Sequence, residues 1–255
     1  MIRVVVPARH DSSRLPGKVL LPLAGKPMLQ WVCERARAAR RVAAVWVATD
    51  DARIAQAARG FGAEVVLTAA THTSGTDRIA EAAWSLKWAV EDIVVNLQAD
   101  EPLMPPALID QVSELLEAHA EAAIATLASP IASLEEFLDP NAVKVVTDLA
   151  GRALYFSRAP VPWDRDGAAA GPASQRSFAG ARRHIGLYAY RVGALRRFAA
   201  LAPSALEMRE KLEQLRALEN GLEIRVATAV EAPGQDVNTP EDLERARAQL
   251  QAARV

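Results

Sequence analysis

Arg9, Arg14 and Lys18 follow one another within ten residues, in a segment that opens with the apolar run Ile2 to Val6, passes Pro7, and ends in Pro16-Gly17-Lys18. Guanidinium and ammonium groups make charge-assisted hydrogen bonds to phosphate oxygens, so three such cations on a Ser-Ser and Pro-Gly backbone can hold a triphosphate. The apolar run suits a buried strand, and Pro7 is expected to end it because proline cannot donate to a sheet ladder. That puts the cations just past the carboxyl end of a strand, where an α/β sheet presents its ligand crevice. The loop carries neither common nucleotide fingerprint. It has no Gly-x-Gly-x-x-Gly, and no Ser or Thr follows Lys18 as a P-loop requires.

Two further segments carry oxygen donors that suit the same chemistry. Asp100 and Glu101 stand immediately after the apolar run Asp92 to Leu97, and Asp236-Val237-Asn238 follows the last apolar run. Mg²⁺ keeps most of its waters and takes few protein carboxylates, so cations with one or two oxygen ligands are what a magnesium-bound nucleotide needs. Phosphoryl-group chemistry is mostly positioning and charge stabilisation, and no Ser, Cys or His nucleophile is required. His10, His72 and His119 show no metal-ligand spacing, which speaks against zinc. Thr71 to Arg78 adds hydroxyls, Gly75 and a helix N-terminus, with Thr76 as the expected N-cap, and suits a polar ligand.

The elements that must position these groups alternate along the chain. Ile2 to Val6, Val42 to Ala48, Glu64 to Leu67 and Asp92 to Leu97 read as strands, and helices are expected over Pro27 to Arg40, from Asp51 to near Gly60, from Thr76 through Trp84 and Trp88, and over Pro105 to Ala118. Such alternation predicts a Rossmann-like, doubly wound α/β fold with a mainly parallel sheet. Later strands are expected at Ala122 to Ala128, Val143 to Thr147, Arg152 to Ser157, His184 to Tyr190 and Glu223 to Ala229. The second and third of these read as an antiparallel hairpin, making the sheet mixed. Helices are expected at Val192 to Leu201, Ser204 to Glu219 and Pro240 to Ala252, and residues 158 to 181 as a surface loop.

The 255 residues suffice for one large α/β domain over 1–255. Thirty Lys plus Arg against 31 Asp plus Glu leave a net charge of −1, so no global field recruits nucleic acid or an anionic membrane. The single cysteine, Cys33, falls in a helical pattern and reads as core packing. One cysteine, no signal segment and no apolar run near the roughly 20 residues of a membrane span give the expectation of a cytoplasmic protein.

Several stretches together resemble one family. They are Val6 to Lys18, Ser74 to Arg78, Gln98 to Pro102, Asn141 to Lys144, Tyr155 to Trp163, His184 to Tyr188, Leu212 to Arg216 and Asn238 to Leu243. Over nearly its whole length the chain is similar to the 3-deoxy-manno-octulosonate (Kdo) cytidylyltransferases, within the sugar nucleotidyltransferase superfamily. The resemblance implies a sheet of the nucleotide-diphospho-sugar transferase type. It implies attack of the anomeric hydroxyl of Kdo on the α-phosphorus of CTP, giving CMP-Kdo and pyrophosphate for lipopolysaccharide biosynthesis, and a homodimer. By residue, it implies that Ala8, Arg9, Ser12, Arg14, Lys18, Ser74, Gly75 and Gln98 bind the nucleotide, with Lys18 and Asp100 catalytic. Arg158, His184, Tyr188, Glu213 and Gln214 would line the sugar-acid pocket, and 130–220 would be a sugar-acid-binding and dimerisation subregion. Mg²⁺ would sit on Asp100. Its second ligand is open between Asn238 and Asp236, because Asn238 stands where the family pattern has aspartate. Ala99 stands where that pattern has glycine, which ordinary backbone dihedrals would tolerate. Activation of another sugar acid, such as a sialic acid or an amino analogue of Kdo, and nucleotide binding without catalysis are the alternatives.

Overall fold

The computed structural model describes residues 1–11, 15–72, 74–168, 170–171 and 174–252. Four strands lie side by side in parallel: β1 (Ile2–Ala8) pairs β4 (Ala44–Thr49) on one edge and β6 (Ile93–Asn96) on the other, and β4 pairs β5 (Glu64–Leu67). A two-residue hairpin, β2 (Pro22–Leu23) with β3 (Lys26–Pro27), follows the cationic loop. Beyond β6 come β10 (Arg182–Arg191), β7 (Ile124–Pro130) and β11 (Ile224–Thr228), giving the order β11-β7-β10-β6-β1-β4-β5. β10 is antiparallel to both neighbours, and the antiparallel hairpin β8 (Lys144–Thr147) and β9 (Ala153–Ser157) is joined to it. The expected mixed, mainly parallel sheet is therefore present, and chain order reverses between β1 and β6.

Alternation along β1 divides the core. Val4 and Val6 face a cluster that takes in helices α1 (Met28–Ala38), α2 (Ala52–Gly60) and α4 (Pro106–Ala118), with Cys33 fully buried in it. Burial pushes the Cys33 thiol up to about 12, as fits a packing residue. Val5 faces the other cluster, filled from α3 (Gly75–Ser85), α6 (Val192–Ala199) and α8 (Gln214–Glu219). Each of these valines is fully buried, a contribution of about 2 kcal/mol apiece from area removed from water. A third, smaller cluster of Leu23, Met28, Trp31, Val237, Ala246 and Leu250 packs α9 (Pro240–Ala252) onto the segment after the cationic loop. No helix among the described residues is long and apolar enough to cross a membrane.

Pro7 does not end β1. It pairs with Ala48 in register, and the strand runs on to Ala8. Leu97 donates its N–H to Val5 O, and Pro7, with no N–H to return to Leu97, stops the pairing of β1 with β6 while its pairing with β4 runs on. The helix read as Ser204 to Glu219 is two, α7 (Ala205–Glu210) and α8, because Lys211 takes a left-handed conformation at φ 54°. α5 (Leu134–Leu138) is a short helix in a stretch with no helical reading.

Candidate nucleotide site

The turn that presents Lys18 is built locally. Gly17 adopts φ 66°, its N–H donates to His10 O, and a 3₁₀ turn of Lys18–Leu20 follows. A positive φ is cheap only for glycine, so Gly17 fixes the direction in which Lys18 leaves the loop. The ammonium of Lys18 then meets three oxygens from two distant segments: Asp100 Oδ2 at 2.6 Å, Val237 O at 3.1 Å and Asn238 Oδ1 at 3.2 Å. Those segments are sewn together. Val237 donates its N–H to Asp100 O, and Gly234 lies so close to Leu103 that an added Cβ would stand 2.4 Å from the Leu103 carbonyl. Only a glycine lets the 233–238 segment lie against the one that carries Asp100.

The same oxygens are of the kind a magnesium ion takes. Asp100 supplies a carboxylate, Asn238 an amide oxygen and Val237 a backbone carbonyl, and all three already converge on one positive nitrogen. Hard oxygen donors with a single carboxylate fit Mg²⁺ bound mainly by phosphates and water. Asp236 accepts from Asn238 Nδ2, which turns the amide oxygen toward Lys18 and spends the Asp236 carboxylate as an orienting group. Among the described residues no three or more His, Cys, Asp or Glu side chains could hold a metal ion together. Glu101 is pushed up to about 8 by burial, with the negative charges of Asp100 and Asp236 adding to it. Ala99 does not take a positive φ, so alanine is tolerated before the aspartate.

A second wall comes from the start of α3. Ser74, not Thr76, is the N-cap: its Oγ accepts from Asp77 N–H at 3.1 Å. Thr76 lies one residue into the helix and donates its hydroxyl to Glu213 Oε2 at 2.7 Å. Burial raises the Glu213 carboxyl above its ordinary value, an effect the Thr76 hydrogen bond partly offsets. Gly75 is packed on Pro7, where a Cβ would lie 3.3 Å from the proline ring. Arg78 ties the helix down through Thr68 Oγ1 at 2.5 Å and Asp50 Oδ1 at 3.0 Å. Gln98 donates Nε2 to Asn96 Oδ1 at 3.1 Å.

These walls enclose a cavity of about 340 Å³ over the carboxyl ends of β1 and β6. Ala8, Arg9, Lys18, Ser74, Gly75, Gln98, Asp100, Glu213 and Asn238 all line it. Ser12 and Arg14 lie outside the described residues. Sequence reasoning passed over His72 and Arg78 as lining groups, although both belong to the Thr71 to Arg78 stretch it marked for a polar ligand. The signal was adjacency: His72 stands two residues before the N-cap.

Arg158, His184, Tyr188 and Gln214 are not part of that lining. Arg158 closes β9, where its Nε donates to Glu210 O at 2.6 Å and its Nη1 to Pro140 O at 2.8 Å. Glu210 in turn accepts from Arg158 N–H and Ser157 Oγ. His184 and Tyr188 flank a bulge in β10, where pairing to β7 slips between Ile185 and Tyr188, and their rings come within 5.1 Å. The Thr126 hydroxyl donates to backbone carbonyls of the bulge, Leu187 O at 2.8 Å and Ile185 O, so His184 Nε2–H donates to Thr126 Oγ1 at 3.0 Å. Burial lowers His184 to about 3, with Arg183 adding to the effect, and raises Tyr188 well above the usual phenol. This aromatic patch adjoins the cavity, since Tyr188 pairs with Asn96, the partner of Gln98. Gln214 is buried at the start of α8, next to Glu213.

Comparison with known proteins fits this geometry. A family model described as cytidylyltransferase matches residues 3–224. A 3-deoxy-manno-octulosonate cytidylyltransferase of Thioalkalivibrio sulfidiphilus is 57% identical over 250 residues, covering 98% of this chain and 99% of its own. One from Pseudomonas syringae pv. tomato is 56% identical over 251 residues, covering 98% of each. A solved structure of CMP:2-keto-3-deoxy-manno-octonic acid synthetase complexed with CTP superposes with a TM-score of 0.88 at 41% identity, over 100% of this chain and 99% of that one. A cytidylyltransferase from Leptospira borgpetersenii, 16% identical over 98% of this chain and 87% of that one with a TM-score of 0.64, shares the fold. The chain belongs to the cytidylyltransferase family, in the branch of the 3-deoxy-manno-octulosonate cytidylyltransferases.

Proposed function

We propose that the chain transfers the cytidylyl group of CTP to Kdo. The observation that carries this reading is the convergence of Arg9, Lys18, Asp100, Asn238 and the α3 N-terminus on one cavity. The anomeric hydroxyl of the sugar acid attacks the α-phosphorus, a new oxygen–phosphorus bond forms, the hydroxyl proton is lost, and the bond to the pyrophosphate oxygen breaks. Lys18 opposes the charge that builds on the departing pyrophosphate, and Arg9 and Arg14 hold the triphosphate. Asp100 and Asn238 would hold Mg²⁺, which when bound lowers the pKa of the attacking hydroxyl and aligns it with the phosphorus. Asp236 sets the amide of Asn238 and is the weaker candidate for a metal ligand.

The carboxylate of the sugar acid needs a cationic partner, and Arg158 supplies it. Two of its nitrogens are anchored on backbone carbonyls, so the charge is held in place before substrate arrives. His184 uses Nε2 on Thr126 and, neutral, offers Nδ1 as an acceptor to a sugar hydroxyl. Tyr188, Glu213 and Gln214 complete the patch between that site and the nucleotide. Residues 130–220 form this sugar-acid subregion, and the exposed Leu149, Leu154 and Met208 within it suit a homodimer contact. We place the enzyme in the cytoplasm, where CTP is available.

A pyrophosphate-release assay with CTP, Mg²⁺ and a panel of acids tests the reading. Release that requires Kdo and is at least about tenfold slower with a sialic acid supports it. Release with a sialic acid but not with Kdo would assign a different acceptor, and CTP binding with no release under any acid would leave only a nucleotide-binding protein.

A further inference from the structure

The cytidylyl-transfer reading explains how the triphosphate is held and leaves open how cytosine is told from uracil. The two bases differ at one edge. Cytosine has a 4-amino donor beside an N3 acceptor, whereas uracil has a carbonyl acceptor beside an N3–H donor. A site that selects cytosine by hydrogen bonding therefore needs an acceptor opposite the amino group. Lys18, Asp100 and Asn238 are bonded to one another at one part of the cavity, while His72, Ser74, Gly75, Gln98 and Glu213 belong to the part around the start of α3. The first group suits phosphate and metal, so the base belongs with the second.

His72 stands in the wall between this cavity and a second one of about 630 Å³ that is also lined by Glu81 and Trp84. On the Glu81 side its ring is pinned, with Nε2 hydrogen-bonded to Glu81 Oε2, the oxygen that also accepts Ala69 N–H at 2.8 Å. Burial opposes ionisation of Glu81, but the hydrogen bonds from Ala69 and His72 outweigh it and hold the carboxyl below its usual range. An ionised carboxylate only accepts, so the ring hydrogen sits on Nε2, and Nδ1 of that tautomer is an acceptor. Nδ1 has no hydrogen bond among the described residues. Glu81 lines the second cavity and not the first, so the edge of the ring away from it is the one that borders the nucleotide.

We propose that His72 is the cytosine-selecting residue: its Nδ1 accepts a hydrogen bond from the 4-amino group of the CTP base, and Glu81 is the positioning residue that fixes the ring and its tautomer. With UTP the same nitrogen faces a carbonyl oxygen, acceptor against acceptor. This inference rests on the cytidylyl-transfer reading, and the experiment separates the two.

The measurement is calorimetric binding of CTP and of UTP, with Mg²⁺ and without sugar acid, to the wild type, His72→Phe, His72→Asn and Glu81→Ala, each checked for a native melting transition. Phenylalanine keeps the ring and removes the acceptor, so the CTP-to-UTP preference should fall by roughly tenfold or more through weaker CTP binding, with UTP little changed. Asparagine places its Oδ1 near the former Nδ1 and should retain most of the preference. Glu81→Ala releases the tautomer and should lose part of it, which also reads the inference if His72→Phe does not fold. The KM for the sugar acid should stay within about twofold in the Asn variant. Equal weakening of both nucleotides in His72→Phe, or an unchanged preference in both His72→Phe and Glu81→Ala, overturns the role of His72. A wild type that binds neither nucleotide, or binds UTP as well as CTP, fails at the earlier step and overturns the cytidylyl reading with it.

Discussion

The nucleotide cavity and the patch around β10 meet at Asn96, yet they are built in opposite ways. The cavity is polar and open, and its groups stand on short segments just past β1 and β6 and at the first turn of α3. The patch is a run of rings, Phe156, His184, Tyr188, Tyr190 and Phe198, each within 6.5 Å of the next. Burial there keeps His184 neutral and Tyr188 protonated. The cavity handles charge with charge. On the proposed reading the patch would take the neutral, hydroxylated body of the acceptor, with one anchored cation, Arg158, for its carboxylate. Substitutions in the two regions should therefore fail differently, in turnover for the first and in acceptor affinity for the second.

The largest effect belongs to Lys18. Lys18→Ala should lower turnover by roughly a hundredfold or more, as for the loss of one preorganised charge-stabilising donor, with the KM for Kdo little changed. Turnover within about threefold of wild type would break the contrast between the regions. Arg158→Ala should raise the KM for Kdo by about tenfold or more and leave that for CTP within about twofold, since a hydrogen-bonded charge pair is worth about 1.5–3 kcal/mol. Equal changes for both substrates would remove Arg158 from the carboxylate site.

The charged half of this contrast was legible from residue type alone. Arg9 and Asp100 stand within four residues of the ends of β1 and β6, and a strand end in a parallel sheet is a place that sequence specifies, whereas Lys18 and Asn238 each lie ten residues beyond one and are brought in by their loops. The β10 patch was legible only in part. His184 and Tyr188 read as alternate positions of a plain strand, whereas the bulge between Ile185 and Tyr188 adds residues that no hydrophobic period reveals. The break at Lys211 is of the same kind. A lysine rarely takes φ 54°, and the continuous apolar pattern gave no sign that the chain turns there to bring Glu213 to Thr76. The N-cap is Ser74, and Thr76, already inside the first turn, gives its hydroxyl to that same Glu213, a partner 137 residues distant. Glu64–Leu67 and Pro240–Ala252 matched to the residue, since both are bounded by local signals. The hairpin at Pro22–Leu23 and Lys26–Pro27 is too short to carry a period.

Within the cavity, the proposed metal donors sharpen the comparison by a smaller amount. Asn238→Ala should raise the Mg²⁺ concentration needed for half-maximal pyrophosphate release by several fold, roughly the loss of one neutral oxygen ligand, and Asp236→Asn should raise it less. Abolition of activity by Asp236→Asn with an unchanged Mg²⁺ requirement in Asn238→Ala would reverse their roles. Asp100→Asn should cost more than either.

The smallest effect at neutral pH, and the one that isolates the patch, is that of His184. Its folded pKa, about 3, lies below the ordinary value of 6.5, so the neutral ring contributes stability that is present above about pH 6.5 and is lost as pH falls toward 3. Chemical denaturation of His184→Gln should show little change at pH 8 and a shallower loss of stability than wild type between about pH 6.5 and 3. Parallel profiles for the two proteins would mean that His184 is not held neutral by burial.

The central claim is that the cavity directs an acceptor hydroxyl to the α-phosphorus of CTP. Phosphorus NMR of the reaction with CTP, Mg²⁺ and Kdo tests it most directly. The account predicts equal amounts of inorganic pyrophosphate and a single new phosphodiester carrying both CMP and the sugar acid, neither forming when Kdo is omitted. CDP with a phosphorylated sugar, or pyrophosphate released without Kdo, would contradict it.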